Sequence, residues 1–149
     1  MYKIPVSVLV VIYTTDLQVL LLERTDHPGY WQSVTGSQNP GETLYQTALR
    51  EVSEETGLNA TNYSLTDWQV ENQYEIYEEW RWRYRPSVSI NTEHVFGLCL
   101  PGITPVKIAE KEHLNHIWLP WQQAAIKVFS SSNSDAILNL PLRQQIDPE

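Results

Sequence analysis

A single cysteine, Cys99, rules out an internal disulfide in this chain of 149 residues. It lies in the apolar run 95–100, where a buried strand thiol is the expected role and a nucleophile is not. That usage fits a reducing compartment, and we expect a cytoplasmic protein. Basic residues are scarce as well. Ten Lys and Arg against eighteen Asp and Glu leave a net charge of −8, which argues against broad electrostatic attraction to a nucleic acid polymer or an anionic membrane. A phosphate substrate stays open, because divalent cations bound to carboxylates reverse the local field. Long apolar runs are missing too: residues 6–13 are too few to span a bilayer and are followed by Asp16 rather than a cleavage site, so they read as a first strand. No repeat, low-complexity tract or linker interrupts the chain, and its length suits one domain over 1–149. Nothing in the sequence specifies an oligomer.

What the chain does contain is a run of acids in an unusual place. Residues 36–58 read G-S-Q-N-P-G-E-T-L-Y-Q-T-A-L-R-E-V-S-E-E-T-G-L. Thr43 with Gln46 makes a capping box and Gly57 supplies a left-handed terminator, so a helix is predicted over 44–56. At about 100° per residue, Tyr45, Leu49, Val52 and Thr56 form its packing stripe, and Glu51, Glu54 and Glu55 fall on an arc away from it. Glu51 and Glu55 repel at i,i+4, and Arg50 can pair with Glu54 but cannot neutralise all three acids. A solvated acidic face is the plain reading of such a cluster. Hard oxygen donors within one helical turn also suit Mg²⁺ or Mn²⁺, which leave positions for water and phosphate.

The frame around the acids decides between the two. Gly36, five residues, Glu42, seven residues, then Arg50-Glu51-Val52-Ser53-Glu54-Glu55-Thr56-Gly57-Leu58 resembles, at every defining position, the signature box of the Nudix hydrolases. The resemblance implies an α/β (α+β) fold, an α/β/α sandwich around a mixed sheet. It also implies hydrolysis, with divalent metal ions, of a nucleoside diphosphate linked to another group. By the same resemblance Glu51 and Glu55 are the principal metal ligands, Glu54 is a further ligand or activates water, and Gly36 offers its carbonyl. Glu42 and Arg50 would brace the loop and helix. Outside the box, Glu112 precedes a strand ending in Trp118-Leu119, similar to a recurrent family feature in which a glutamate completes the metal site or acts as general base. His113 beside it is expected to be structural, since hard cations prefer oxygen to imidazole.

Further likeness narrows the branch. Residues 30–37, 83–86 and 91–93 resemble the Nudix branch that acts on dihydroneopterin triphosphate and on dATP, releasing pyrophosphate. That branch pattern implies substrate contacts at Lys3, Arg24, Thr35 and Ser130, with Arg as a bidentate and Lys as a point-charge partner for phosphate. Six Trp and eight Tyr make a heavy aromatic load, dense in 74–84. Alternation there predicts a strand, with Tyr74 and Tyr77 as a wall on which a flat heterocycle stacks. The remaining strands are expected over 5–13, 17–23, 32–36, 64–71, 93–100 and 113–119. A helix should follow Pro120, and another should cover 133–146, broken or kinked at Pro141. Two other kinds of function remain open. Within the family, the substrate could be an oxidised nucleotide or a dinucleoside polyphosphate. Outside catalysis, the chain could be a nucleotide-binding module or carry a structural Ca²⁺ or Mg²⁺ site, although no box glutamate is missing.

Overall fold

The fold is seen in a computed structural model that describes residues 1–146. Strand β1, Val6–Thr14, is built from β-branched and aliphatic residues, buried along almost its whole length. Such a run can only sit in the middle of a sheet covered on both faces. Alternation then sends Val8, Val10 and Ile12 to one face and Leu9, Val11 and Tyr13 to the other, and each set belongs to a different core. Around β1 the chain lays β2 (Gln18–Arg24), β3 (Trp31–Gln32), β4 (Val34–Ser37), β5 (Ser64–Glu75), β6 (Ile90–Leu100) and β7 (His113–Pro120). They form a seven-stranded mixed sheet in which β1 runs parallel to β6 and the other pairings are antiparallel. One edge of β1 is shared: β2 pairs with it at Tyr13, and β4 pairs with it from Ser7 to Val10.

Helix α1, Leu44–Thr56, covers the first face through Ala48 and Val52, packed with Val8, Val10 and Phe96. Helices α2 (Trp121–Lys127), α3 (Ser131–Leu138) and α4 (Leu140–Ile146) cover the second, with Ala124, Ile137 and Leu140 against Leu9, Val11 and Val95. The result is the expected α/β/α sandwich. No described helix is long and apolar enough to cross a membrane. Cys99 lies in β6 as expected but is half-buried rather than enclosed.

Four expectations change. The 74–84 segment is not a strand: β5 ends at Glu75, opposite Ile90, the first residue of β6, and one further bond, from the Ile76 N–H to the Ser89 carbonyl at 2.8 Å, closes the pairing. The chain turns instead into a 3₁₀ helix, Glu78–Arg83, whose i,i+3 spacing stacks Tyr77 on Trp80 in place of the predicted alternation. The 32–36 strand is split at Ser33, whose N–H is taken by the buried Asn133 side chain at 2.8 Å. On α1, the capping box and the left-handed Gly57 (φ 76°) hold, but the packing stripe is rotated. Tyr45 is exposed, Leu49 is half-buried, and Glu51 and Glu55 are buried, because the helix lies close over β4. The C-terminal helix breaks at Asn139, two residues before Pro141, which then sits in the first turn of α4 where its missing N–H is tolerated.

Candidate active site

Helix α1 delivers its carboxylates to the sheet at Gly36. A side chain at this position would overlap the Glu51 carboxyl group, so only glycine leaves that carboxyl its place against β4. Arg50 fixes the remaining freedom. Its guanidinium donates two bonds to Glu42 (2.6 and 3.0 Å), one to the carbonyl of Ser37 (2.9 Å) and one each to Glu51 (2.9 Å) and Glu54 (3.3 Å). Glu42 in turn accepts from the Asn39 N–H and the Thr47 hydroxyl. The Arg50 bonds, assisted by these two, hold the Glu42 carboxyl down at about 2. Glu42 and Arg50 therefore join loop to helix.

Glu51 and Glu55 meet in the interior, 8% and 2% exposed, and bond to each other through their carboxyl groups. Burial raises the pKa of both, more so for Glu55, where the Glu51 and Glu112 charges add to the effect and the Thr35 N–H opposes it. Glu55 Oε1 has no hydrogen-bond partner. His113 Nε2 lies 3.7 Å from that oxygen, too far for a hydrogen bond, and burial lowers the imidazole to about 4, so the ring is neutral and leaves Glu55 uncompensated. Of the two, Arg50 compensates Glu51 alone, so the pair carries one cation for two buried carboxyl groups and an orphaned oxygen on Glu55, and a divalent cation fits that deficit. Glu54 is exposed and engaged by Arg50, and Glu112 is exposed beside the buried pair. Among the described residues no three acidic, His or Cys side chains close into a ready-made cage.

Beyond Glu55 opens a cavity of about 840 Å³. Every substrate-contact residue expected from the sequence borders it: Lys3, Arg24, Thr35, Tyr74, Tyr77 and Ser130, together with Gly36, Glu55 and Glu112. Glu51 and Glu54 do not. Arg24 is oriented by a two-point bond to Asp26 (2.7 and 2.8 Å) and by Gln32 (3.0 Å), and its guanidinium lies 4.5 Å from the Trp80 ring centre. Burial at the cavity mouth, Arg83 and Arg24 lower the Lys3 pKa, while Glu51 and Glu112 pull it up, so the ammonium stands where the cations and the acids meet. Thr35 and Ser130 spend part of their hydrogen-bonding capacity internally, on the Val8 carbonyl and the Asn133 N–H.

The aromatic wall differs from the expected one. Tyr77 and Trp80 stack in parallel at 5.0 Å, and Phe129 meets both edge-on. Tyr74 belongs to a polar end of the cavity, where its hydroxyl accepts from Asn91 at 3.1 Å. Trp80, Phe129, Asn91, Glu93 and Asn133 were missed in the sequence. The Trp80 contact follows from i,i+3 spacing that a strand over 74–84 conceals, and Asn91 and Glu93 lie within the family-like segment 91–93 with no role implied by it. Phe129 and Asn133 carried no local signal, because their partners are about fifty to a hundred residues away in sequence.

Comparison with known proteins agrees with this geometry. The NUDIX domain profile matches residues 3–140. The chain is 47% identical over 139 residues to the dihydroneopterin triphosphate diphosphatase of Escherichia coli K12, covering 91% of each, and 39% identical to that of Haemophilus influenzae, covering 91% of this chain and 87% of the relative. The structure of the E. coli dihydroneopterin triphosphate pyrophosphohydrolase superposes with a TM-score of 0.86 at 46% identity, over 92% of this chain and 94% of that one. A profile match across most of the chain, two full-length relatives and the buried acid pair of the box helix lead to one conclusion: the protein belongs to the Nudix family.

Proposed function

We propose that the chain hydrolyses dihydroneopterin triphosphate to its monophosphate and pyrophosphate, takes dATP-like nucleotides as secondary substrates, and works in the cytoplasm with Mg²⁺, for which Mn²⁺ can substitute. The observation that carries this reading is one cavity lined by the buried, uncompensated Glu55 carboxyl, by the cations Lys3 and Arg24 and by the stacked rings of Tyr77 and Trp80. The full-length likeness to the E. coli enzyme supports the pterin substrate.

Glu51 and Glu55 would hold the metal, with Glu54, Glu112 and the Gly36 carbonyl as further donors. When bound, a divalent ion neutralises phosphate charge and makes a coordinated water acidic enough to attack phosphorus. The protein's own groups do the rest. Arg24, fixed by Asp26 and Gln32, grips non-bridging oxygens through its fork, and Lys3 adds a point charge beside it. Thr35 and Ser130 add hydroxyls from the strand and from the cap of α3. Tyr77, Trp80 and Phe129 hold the flat ring, so the triphosphate reaches the acids in one orientation. Glu112, exposed at the cavity rim, takes the proton from the attacking water in preference to Glu54, which Arg50 occupies outside the lining.

Turnover of dihydroneopterin triphosphate beside the common deoxynucleotides, with analysis of the phosphate product, tests the proposal. Pyrophosphate with a clear preference for the pterin is expected. Orthophosphate as the product, or equal slow rates on every substrate, would refute it.

A further inference from the structure

The cavity contains two buried acceptors that no described residue satisfies. Asn91 and Glu93 stand two residues apart on β6, so both side chains point to the same face of the sheet. They are 1% and 4% exposed, yet both border the cavity. Asn91 spends its amide hydrogens on Ser7 (2.8 Å) and Tyr74 (3.1 Å), which turns its carbonyl oxygen, Oδ1, into an unpartnered acceptor. Glu93 accepts bonds from Asn72 and Ser132, yet its Oε1 is likewise unpartnered. Ser7 and Asn72 are its cross-strand neighbours on β1 and β5, so backbone pairing fixes the carboxyl in place. Buried acceptors without donors are costly, and a ligand bringing N–H groups would remove that cost.

We propose that Glu93, with Asn91 beside it, is the specificity-determining group that reads adjacent N–H donors on a 2-amino-4-oxo-pyrimidine ring. In a pterin these donors are the ring N3–H and the exocyclic 2-amino group. The Glu93 carboxyl accepts from them, and the Asn91 carbonyl accepts a remaining amino hydrogen. Adenine offers one amino group beside a ring nitrogen that is itself an acceptor, so it cannot present two donors to the same carboxylate. This assignment deepens the pterin reading above and rests on it for the identity of the substrate.

The test compares the ratio of kcat/KM for dihydroneopterin triphosphate to that for dATP in the wild type, Glu93→Gln and Glu93→Ala. Because both substrates are measured on one preparation, the fraction of folded protein cancels. The ratio should fall about tenfold or more in both variants, as expected when a site built to pair with a donor loses its charged acceptor. An unchanged ratio would overturn the assignment. A second measurement works without turnover: neopterin, which has no phosphates, should bind Glu93→Gln about tenfold or more weakly than the wild type by calorimetry. Its lumazine counterpart, which keeps N3–H but has a 2-oxo group in place of the amine, should show a smaller difference between the two proteins. Equal neopterin affinity would leave the two oxygens to solvent and refute the inference. If no triphosphate were hydrolysed, the proposed activity would fall, and the neopterin comparison would still decide the role of Glu93.

Discussion

The Glu51 carboxyl group occupies the space that any side chain at residue 36 would need. Helix and strand are therefore in contact through an absence, and the glycine of the box is a packing requirement as much as a source of a carbonyl. Gly36→Ala should force Glu51 out of its buried position. Because what must move is the end of a flexible side chain, we expect loss of most hydrolysis with a stability change under about 1 kcal/mol. Urea unfolding beside steady-state rates measures both, and wild-type turnover in the alanine variant would contradict the close approach.

Removal of a buried acid should separate stability from activity. Glu55 is 2% exposed, has an oxygen without a partner and faces a neutral imidazole, so Glu55→Gln removes a group that the metal-free protein accommodates poorly. The variant should melt at or above the wild-type temperature without metal, gain little from added Mg²⁺, and lose more than about a hundredfold in turnover, beyond the usual loss for a supporting partner of a metal ligand. Calorimetric scans with and without Mg²⁺ test this. A Glu55→Gln protein stabilised by Mg²⁺ as strongly as the wild type would remove Glu55 from the metal site.

The brace gives a dependence on pH. The Glu42 carboxyl is held at about 2, below its ordinary value near 4.5, chiefly by Arg50. A depressed folded-state value means that stability is present above pH 4.5 and is lost as pH falls toward 2. Glu42→Gln should cost about 2 kcal/mol at neutral pH, as expected for a lost charged hydrogen bond. The gap between variant and wild type should shrink between pH 4.5 and 2. Parallel unfolding curves at pH 6 and pH 3 read it directly, and a constant gap would assign the Glu42 contribution to neutral contacts.

The legible parts of this protein are those governed by short-range rules. The bounds of α1 follow from Thr43, Gln46 and Gly57, and the central place of β1 follows from its unbroken apolar run. The rotation of α1 was not legible, since acids are normally assigned to solvent and only the tertiary setting of Gly36 brings Glu51 inside. The segment after Glu75 misled for a related reason. Its aromatic alternation is that of a strand, but a strand needs a neighbour, and the end of the β5–β6 pairing is a property of the sheet. Glu112 could be placed at the site only through family resemblance, because the sheet brings it beside Glu55 from more than fifty residues away.

The aromatic wall makes the last prediction. Tyr77 and Trp80 are stacked at 5.0 Å with planes 5° apart, and Arg24 lies over the same Trp80 ring. Trp80 thus supports both the ring-binding wall and the cation expected to hold phosphate. Its loss should act on binding first. Base-aromatic stacking contributes about 1–3 kcal/mol, so Trp80→Leu should raise KM by about tenfold. If Trp80 only stacks on substrate, kcat will stay near the wild-type value. If it also positions Arg24, kcat will fall as well, and Arg24→Lys should then add little to the loss in the double variant, since two changes that act through one contact are not additive. The cycle of Trp80→Leu, Arg24→Lys and the pair, each assayed for kcat and KM, separates the two roles. Unchanged KM in Trp80→Leu would exclude this wall as the ring site.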